Sequence, residues 1–125
     1  MMTAKILYVE DNEDNIYMLC RRLKRMKVDV DVARDGEEGV RMCLAYDYEL
    51  VLMDLSLPGI DGWEAITQIR AAGKTLPILA LSAHAMREHI DQALAAGAND
   101  FESKPIDFST FKVKFEALLA GGSDA

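Results

Sequence analysis

The side chains of this sequence that could carry out chemistry stand at the ends of apolar segments. Glu10 and Asp11 follow KILYV, Asp54 ends the run LVLMD, Ser82 follows PILAL and Lys104 follows DFES. Carboxylates that lie close together repel one another and raise each other's pKa. A hard divalent cation removes that conflict, and Mg²⁺ is usually bound by a few carboxylates and waters. The three acids therefore predict a metal site if the fold brings these segment ends together.

Asp54 is the candidate nucleophile of such a site, because an ionised carboxylate can attack phosphorus without a general base. Lys104 and Ser82 would supply an ammonium and a hydroxyl group to the oxygens of a phosphoryl group. We expect Asp11 and Asp54 to be direct metal ligands, and Glu10 to act through a water molecule, since adjacent residues in an extended chain point apart. The alternative is a set of solvated loop acids and helix caps, which explains poorly why Asp54 ends an apolar segment.

Strand and helix periodicities alternate along the chain. VDVDVA alternates apolar and polar residues, as a half-exposed edge strand does, whereas LVLMD and LPILALS are apolar throughout, as buried strands are. Asp35 with Glu38, and Asp61 with Glu64, have the spacing of N-terminal helix caps. Helices are expected over residues 13–27 and 36–46, from Asp61 to near Gly73, from Met86 to Ala96, and after Pro105.

Five strands that alternate with five helices predict an α/β fold with right-handed parallel crossovers and helices on both faces of the sheet. An alternating strand at the edge and apolar strands in the centre give the doubly wound order 2-1-3-4-5. In such folds ligands bind beyond the carboxyl ends of the strands, where the strand order reverses. The acids, Ser82 and Lys104 belong to those ends.

The composition limits the classes of function. The 125 residues are typical of one domain, and the formal net charge of −7 argues against direct nucleic-acid binding. No apolar run approaches the roughly 20 residues that span a bilayer, and no signal peptide is recognisable, so we expect no membrane insertion and a cytoplasmic location. Cys20 and Cys43 lie at helical spacing among apolar residues and are expected to be buried thiols, not a disulfide or a metal pair.

Four motifs occur in order: VED at residues 9–11, LMDLSLPGIDG at 52–62, LSA at 81–83 and SKP at 103–105. Together they resemble the receiver domain of two-component response regulators, of the single-domain type. The resemblance covers essentially the whole chain and implies a flavodoxin-like five-stranded parallel sheet. We accordingly expect a receiver domain over residues 1–120 and a flexible tail over residues 121–125.

The resemblance also implies roles for the acids and their neighbours. Asp54 matches the phosphoacceptor, which takes its phosphoryl group from a phosphohistidine. Glu10 and Asp11 match the acidic pair of a Mg²⁺ site, where Mn²⁺ is an alternative ion. The backbone carbonyl of Ser56 matches the third protein ligand of that site.

Further matches concern the switch that follows phosphorylation. Ser82 matches the hydroxyl that moves to meet the phosphoryl group, and Lys104 matches the ion-pairing partner of that group. Phe101 matches an aromatic side chain that swings inward on activation. By the same resemblance the peptide bond between Lys104 and Pro105 would be cis, a state that proline permits.

Three positions bear on regulation. Ser56 and His84 each stand two residues after a site residue, at positions that tune the lifetime of the phosphoform in this family. Because the small Ser56 side chain cannot easily orient an attacking water, we expect a long-lived phosphoform. Glu102 stands where the family more often has an aliphatic residue. It would be an edge charge that discourages strand pairing, or a determinant of partner specificity.

The implied function is that of a receiver whose phosphorylation changes its conformation and thereby its binding of a protein partner. A histidine kinase or a histidine phosphotransfer protein would be the phosphodonor, and the target would dock on helix four, strand five and helix five. Such a domain catalyses its own phosphorylation and dephosphorylation without being a turnover enzyme. The alternatives are a receiver from a hybrid histidine kinase and a pseudo-receiver that docks without phosphorylation.

Three other classes fit the sequence poorly. The acids of EDNED would repel the phosphate of a flavin, and an aspartate-dependent phosphatase would carry a second acid where this chain has Ser56. An EF-hand loop that starts at Asp11 would need glycine at the position of Ile16 and glutamate at that of Arg22.

Overall fold

The computed structural model describes residues 4–57, 59–83 and 86–121. Ten elements alternate along this part of the chain. They are β1 (Lys5–Val9), α1 (Glu13–Arg25), β2 (Asp29–Ala33), α2 (Gly36–Ala45), β3 (Val51–Asp54), α3 (Gly62–Ala71), β4 (Ile78–Ser82), α4 (Arg87–Ala96), β5 (Asp100–Ser103) and α5 (Phe108–Gly121). Among the helices described here, none combines the length and the apolar character that a membrane crossing requires.

The five strands form one parallel sheet in the order β2-β1-β3-β4-β5, as predicted. Every residue of β3 and β4 is buried, whereas the edge strand β2 is only partly covered. This agrees with their apolar and alternating sequences, because a strand that is covered on both faces exposes no side chain to water. Because all the strands are parallel, their carboxyl ends lie at the same edge of the sheet.

A hydrophobic core lies on each face of the sheet. On one face, Val51 and Met53 pack with side chains of α2, α3 and α4. On the other face, side chains of α1 and α5 cover the sheet, and the stacked rings of Phe111 and Phe115 have centroids 5.4 Å apart. Both cysteines are free thiols: Cys43 belongs to the first core and the partly buried Cys20 packs against the second.

Side-chain caps fix the helices that begin near the carboxyl ends of the strands. Asn12, Asp35 and Asp61 each accept a hydrogen bond from the backbone N–H three residues later, at 2.9, 2.7 and 2.9 Å. The two predicted acidic caps, before α2 and α3, are confirmed. Because these bonds satisfy donors that a helix start leaves unpaired, the loops after β1, β2 and β3 are held in place.

Some boundaries differ from the predicted ones. The sequence predicts that α1 reaches residue 27, but the helix ends at Arg25, and Lys27 has a left-handed backbone with φ of 62°. The second helix ends one residue early because Tyr46 is extended, with φ −130° and ψ 159°. At the C-terminus, α5 includes Gly121, which was assigned to the tail. The rest of that tail, residues 122–125, lies outside the described residues.

Glu102 lies inside the protein, so the expectation of an exposed charge on an edge strand is wrong. The residue is 4% exposed, and its Oε1 lies 3.1 Å from Nζ of Lys114. Its Oε2 accepts a hydrogen bond from Oγ1 of Thr110 at 3.0 Å. Lys114 and Thr110 belong to α5, so Glu102 joins this strand to the helix that covers it. A buried carboxylate of this kind neither blocks strand pairing nor offers itself to a partner.

Gly62 allows α3 to begin directly beside the end of β3. A Cβ atom at this position would lie 2.4 Å from the carbonyl oxygen of Asp54 and 2.6 Å from Cα of Leu55. Both are backbone atoms, so a side chain at residue 62 could be accommodated only if the strand end moved. The close approach of this glycine thus helps to fix the position of Asp54.

We expect Gly62→Ala to lower the free energy of unfolding by about 2 kcal/mol, the usual cost of overpacking a close contact. Urea denaturation measures the effect. Gly121→Ala is the matched control, because a methyl group there meets no atom within 4 Å and alanine favours helix. If the two variants were equally stable, β3 and α3 would not be held as closely as described.

Candidate functional site

The predicted site residues lie at one edge of the sheet, at the carboxyl ends of four strands. Asp54 ends β3, and strand pairing places it opposite Leu81 in β4. The backbone N–H of Lys104 donates to the carbonyl oxygen of Ser82 at 2.8 Å. This bond fixes the point at which the lysine side chain leaves the backbone. Glu10 follows β1, and its backbone N–H donates to the carbonyl oxygen of Ala33 at 2.9 Å.

Glu10, Asp11 and Asp54 form an acidic cluster, in which one carboxylate oxygen from each residue lies within 4.8 Å of the others. Glu10 and Asp54 are only 1% and 3% exposed, whereas Asp11 is exposed. The cluster therefore opens to solvent on one side. Converging carboxylates that water can reach match the ligands that Mg²⁺ takes, so the residues present fit this ion.

Lys104 is the cation that faces the two buried carboxylates. Its Nζ lies 2.8 Å from Oε1 of Glu10 and 3.4 Å from Oδ2 of Asp54. Lys104 thus contacts both carboxylates, and its closer contact is with Glu10. The sequence predicted that Lys104 would reach this edge, but it did not predict that Glu10 would be its nearer partner.

Because Lys104 lies closer to Glu10 than to Asp54, the pKa values of the two carboxyl groups differ in the direction of their shifts. Burial raises the pKa of Asp54 to about 6, and the charge of Glu10 adds to the rise, although the Ser56 N–H and Lys104 oppose it. Burial also acts to raise the pKa of Glu10, but the hydrogen bond and charge of Lys104 outweigh it and hold that pKa below its ordinary value. Asp54 is therefore the acid whose charge is less well compensated.

The backbone after Asp54 holds its carboxylate in place. The Ser56 N–H donates to Oδ1 of Asp54 at 3.1 Å, so one oxygen is bonded to the loop while the other faces Lys104. The Ser56 side chain is exposed, which leaves it free to face a phosphoryl group or solvent. Its predicted effect on phosphoform lifetime remains a prediction.

The predicted switch residues lie beside this centre. Ser82 is fully buried at the end of β4, and Phe101 is 7% exposed in the core beneath α4. The Lys104–Pro105 peptide bond is cis, as the resemblance implied. His84, the second residue predicted to tune lifetime, lies outside the described residues.

Tyr8 is the residue that the sequence analysis missed. Its side chain is fully buried, and its hydroxyl donates to Oε1 of Glu10 at 3.2 Å. The available signal was a phenol in an otherwise aliphatic strand, two residues before an acid and therefore on the same face of β1. A second neighbour, the Asn12 N–H, donates to Oε2 of Glu10 at 3.3 Å.

Comparison with known proteins assigns the chain to a family. The family model described as the response regulator receiver domain matches residues 6–116. The transcriptional regulatory protein CusR of Escherichia coli is 34% identical over 119 residues, which are 95% of this chain and 52% of CusR. The chain thus spans about half the length of this curated relative.

Two solved structures are also similar. The receiver domain of the sensor histidine kinase PA1611 from Pseudomonas aeruginosa, with a magnesium ion in its active-site cleft, is 32% identical with a TM-score of 0.87, covering 95% of this chain and 99% of that one. The receiver domain of Ssk1 from Saccharomyces cerevisiae, in complex with the histidine phosphotransfer protein Ypd1, is 29% identical with a TM-score of 0.89, covering 95% and 90%. The chain belongs to the receiver domain family of two-component response regulators, whose general function is phosphorylation on an aspartate.

Proposed function

We propose that Asp54 is the phosphoacceptor of this receiver domain, and that its phosphodonor is a phosphohistidine on a histidine kinase or a histidine phosphotransfer protein. One observation carries the proposal: Asp54 ends a buried strand within 4.8 Å of two other acids and 3.4 Å from the Lys104 ammonium. The contact of the Ssk1 receiver with a phosphotransfer protein supports the proposed class of donor.

The metal site would consist of Asp11, Asp54 and the backbone carbonyl of Ser56, with Glu10 acting through a water molecule. The acidic cluster and the magnesium ion in the PA1611 receiver support this assignment, and Mn²⁺ is an alternative ion. A bound ion would compensate the negative charge of the acids and of the phosphoryl group. Among the described residues, Lys104 is the cation that contacts both buried carboxylates, and burial of Asp54 is the main cause of its raised pKa.

The chemical step needs little beyond positioning and charge compensation. An Asp54 oxygen forms a bond to phosphorus while the nitrogen–phosphorus bond of the phosphohistidine breaks, and the electron pair remains on the imidazole. The loop bond from Ser56 to Oδ1 limits rotation of the carboxylate. Lys104 and the Ser82 hydroxyl would then donate to the transferred group. The protein is in this account a phosphoacceptor that promotes its own phosphorylation and dephosphorylation, not a turnover enzyme.

The output of this reaction would be a change at the surface formed by α4, β5 and α5, where a downstream protein would dock. Ser82 ends β4, which lies between the strand of Asp54 and β5, and Phe101 belongs to β5 itself. Movement of Ser82 towards the phosphoryl group would change the packing around Phe101, and the phosphoryl group would favour the rearranged state by its differential contacts.

We propose no direct contact with nucleic acid and no membrane insertion, and a cytoplasmic site of action.

A receiver domain within a hybrid histidine kinase is the second candidate. The similarity to the receiver of the sensor kinase PA1611 favours it, while the similarity to CusR favours a regulator. Both candidates share the proposed chemistry at Asp54. A pseudo-receiver that docks without phosphorylation is the remaining alternative, and the phosphorylation experiment excludes or supports it.

Intact-mass measurement after incubation with Mg²⁺ and acetyl phosphate tests the proposal. We expect the wild type to gain one phosphoryl group, and Asp54→Asn or an excess of EDTA to abolish the gain. Asp47→Asn is the matched control, because that carboxylate is fully exposed and far from the proposed chemistry. A folded wild-type protein that binds Mg²⁺ without gaining mass would instead indicate a pseudo-receiver.

We expect Mg²⁺ to raise the melting temperature at about pH 7.5, and the gain to disappear towards about pH 5. In the folded protein the pKa of Asp54 is about 6, above its ordinary 3.8. Ionisation of Asp54 therefore costs stability as the pH rises between those values, and the ionised form is the one that Mg²⁺ stabilises. Below about pH 6 a proton competes for the carboxylate, so the affinity for Mg²⁺ falls by up to about tenfold per pH unit.

Thermal unfolding in MgCl₂, against NaCl of equal ionic strength, measures this dependence. Asp54→Asn should be more stable than the wild type in the absence of Mg²⁺ at about pH 7.5, by on the order of 2 kcal/mol. An equal stabilisation by Mg²⁺ at both pH values would show that the ion does not bind at Asp54.

A further inference from the structure

Tyr8 places a buried hydroxyl group in contact with Glu10 of the acidic cluster. The side chain is fully buried in β1, and its neighbours along the strand, Leu7 and Val9, carry no polar group. A buried phenol requires a hydrogen-bond partner, and this one donates to Oε1 of Glu10 at 3.2 Å. Because a carboxylate oxygen can only accept, the Tyr8 hydroxyl is the donor of this bond.

The oxygen that Tyr8 contacts is the one that Lys104 also contacts. Oε1 of Glu10 accepts from Nζ of Lys104 at 2.8 Å and from the Tyr8 hydroxyl at 3.2 Å. The other oxygen, Oε2, accepts a longer bond of 3.3 Å from the Asn12 N–H. Tyr8 is therefore a second donor at an oxygen whose first donor is a cation.

Phosphorylation of Asp54 would increase the negative charge that Lys104 faces. The lysine already lies 3.4 Å from Oδ2 of Asp54, and a phosphoryl group there would add negative charge on the Asp54 side. If the ammonium turned to that group, its bond to Glu10 would lengthen or break. Oε1 of Glu10 would then lose its charged donor, and a buried acceptor that loses a donor is destabilised unless another donor remains.

We propose that Tyr8 is a positioning residue for phosphoryl transfer, whose hydroxyl holds Glu10 while Lys104 turns to the phosphoryl group on Asp54. The proposal rests on the proposed role of Asp54. No proton is transferred to or from Tyr8: its hydroxyl strengthens one hydrogen bond as Lys104 releases the same oxygen. The free-energy cost of moving Lys104 away from Glu10 is then lower. This increases the transfer rate, because Lys104 is needed at the phosphoryl group when negative charge develops there.

Tyr8→Phe tests the proposal, with Tyr48→Phe as the matched control. Tyr48 is 7% exposed and its hydroxyl donates to Oδ2 of Asp31 at 2.7 Å, so each variant loses one bond from a buried phenol to a carboxylate. Phosphorylation by acetyl phosphate in saturating Mg²⁺ is followed by intact mass over a range of donor concentrations. Mg²⁺ affinity is measured separately by calorimetry without donor.

We expect Tyr8→Phe to reduce the maximal phosphorylation rate about tenfold, the usual value of one hydrogen bond to a charged group. The acetyl phosphate concentration at half-maximal rate and the Mg²⁺ affinity should change less than about twofold, because Lys104 still holds Glu10 before transfer. Tyr48→Phe should retain the wild-type rate.

Either of two results would overturn the inference. A wild-type maximal rate in Tyr8→Phe would show that the hydroxyl is not needed when Lys104 moves. A loss of Mg²⁺ affinity as large as the loss of rate would show that Tyr8 only shapes the acidic cluster. Absence of phosphorylation in the wild type would instead contradict the proposed role of Asp54, so the two failures are distinguishable.

The wild-type protein provides a measurement that does not depend on the folding of a variant. Because Tyr8 is fully buried, we expect its hydroxyl proton to exchange slowly enough with water to be observed by NMR. We expect its resonance to move downfield on phosphorylation, as its bond to Glu10 shortens. An unchanged or upfield resonance would contradict the proposal.

Discussion

Two buried carboxylates share one lysine, and the properties of the site follow from that imbalance. Nζ of Lys104 lies nearer to Glu10 than to Asp54, at 2.8 and 3.4 Å, and Asp11 adds a third acid at the solvent side. Uncompensated charge in a protein interior is costly, so the cluster favours uptake of a proton or a cation. Asp54 is the less compensated acid, and the proposed phosphoacceptor is thus also the residue that a metal ion would stabilise most.

The fold keeps this imbalance from relaxing. The carboxylate of Asp54 stands at the end of a strand that is buried on both faces, and Gly62 packs directly against the backbone of that strand end. The Ser56 N–H holds one oxygen of Asp54. Because the packing at the strand end and the bond from Ser56 fix Asp54, its carboxylate cannot move away from Glu10 to reduce their repulsion. A rigid scaffold of this kind suits catalysis by positioning, in which charges are arranged before the reaction begins.

Sequence periodicity was sufficient to predict the strand order, the helices and the edge of the sheet at which the acids meet. It could not predict how Lys104 divides its contacts, because Lys104 and Glu10 are 94 positions apart and their separation depends on packing. Tyr8 was overlooked because a tyrosine in a core strand is usually only a large apolar side chain. Glu102 was misassigned because the covering of β5 by α5, and the cation that Lys114 supplies, are tertiary features.

The most direct test of this account is a carbon-13 NMR titration of the Glu10 and Asp54 carboxyl groups in the metal-free protein. The account predicts a pKa of about 6 for Asp54 and, for Glu10, a pKa below its ordinary 4.5. Saturating Mg²⁺ should then lower the pKa of Asp54. Ordinary values for both residues, or a higher pKa for Glu10 than for Asp54, would contradict the claim that Lys104 compensates Glu10 at the expense of the phosphoacceptor.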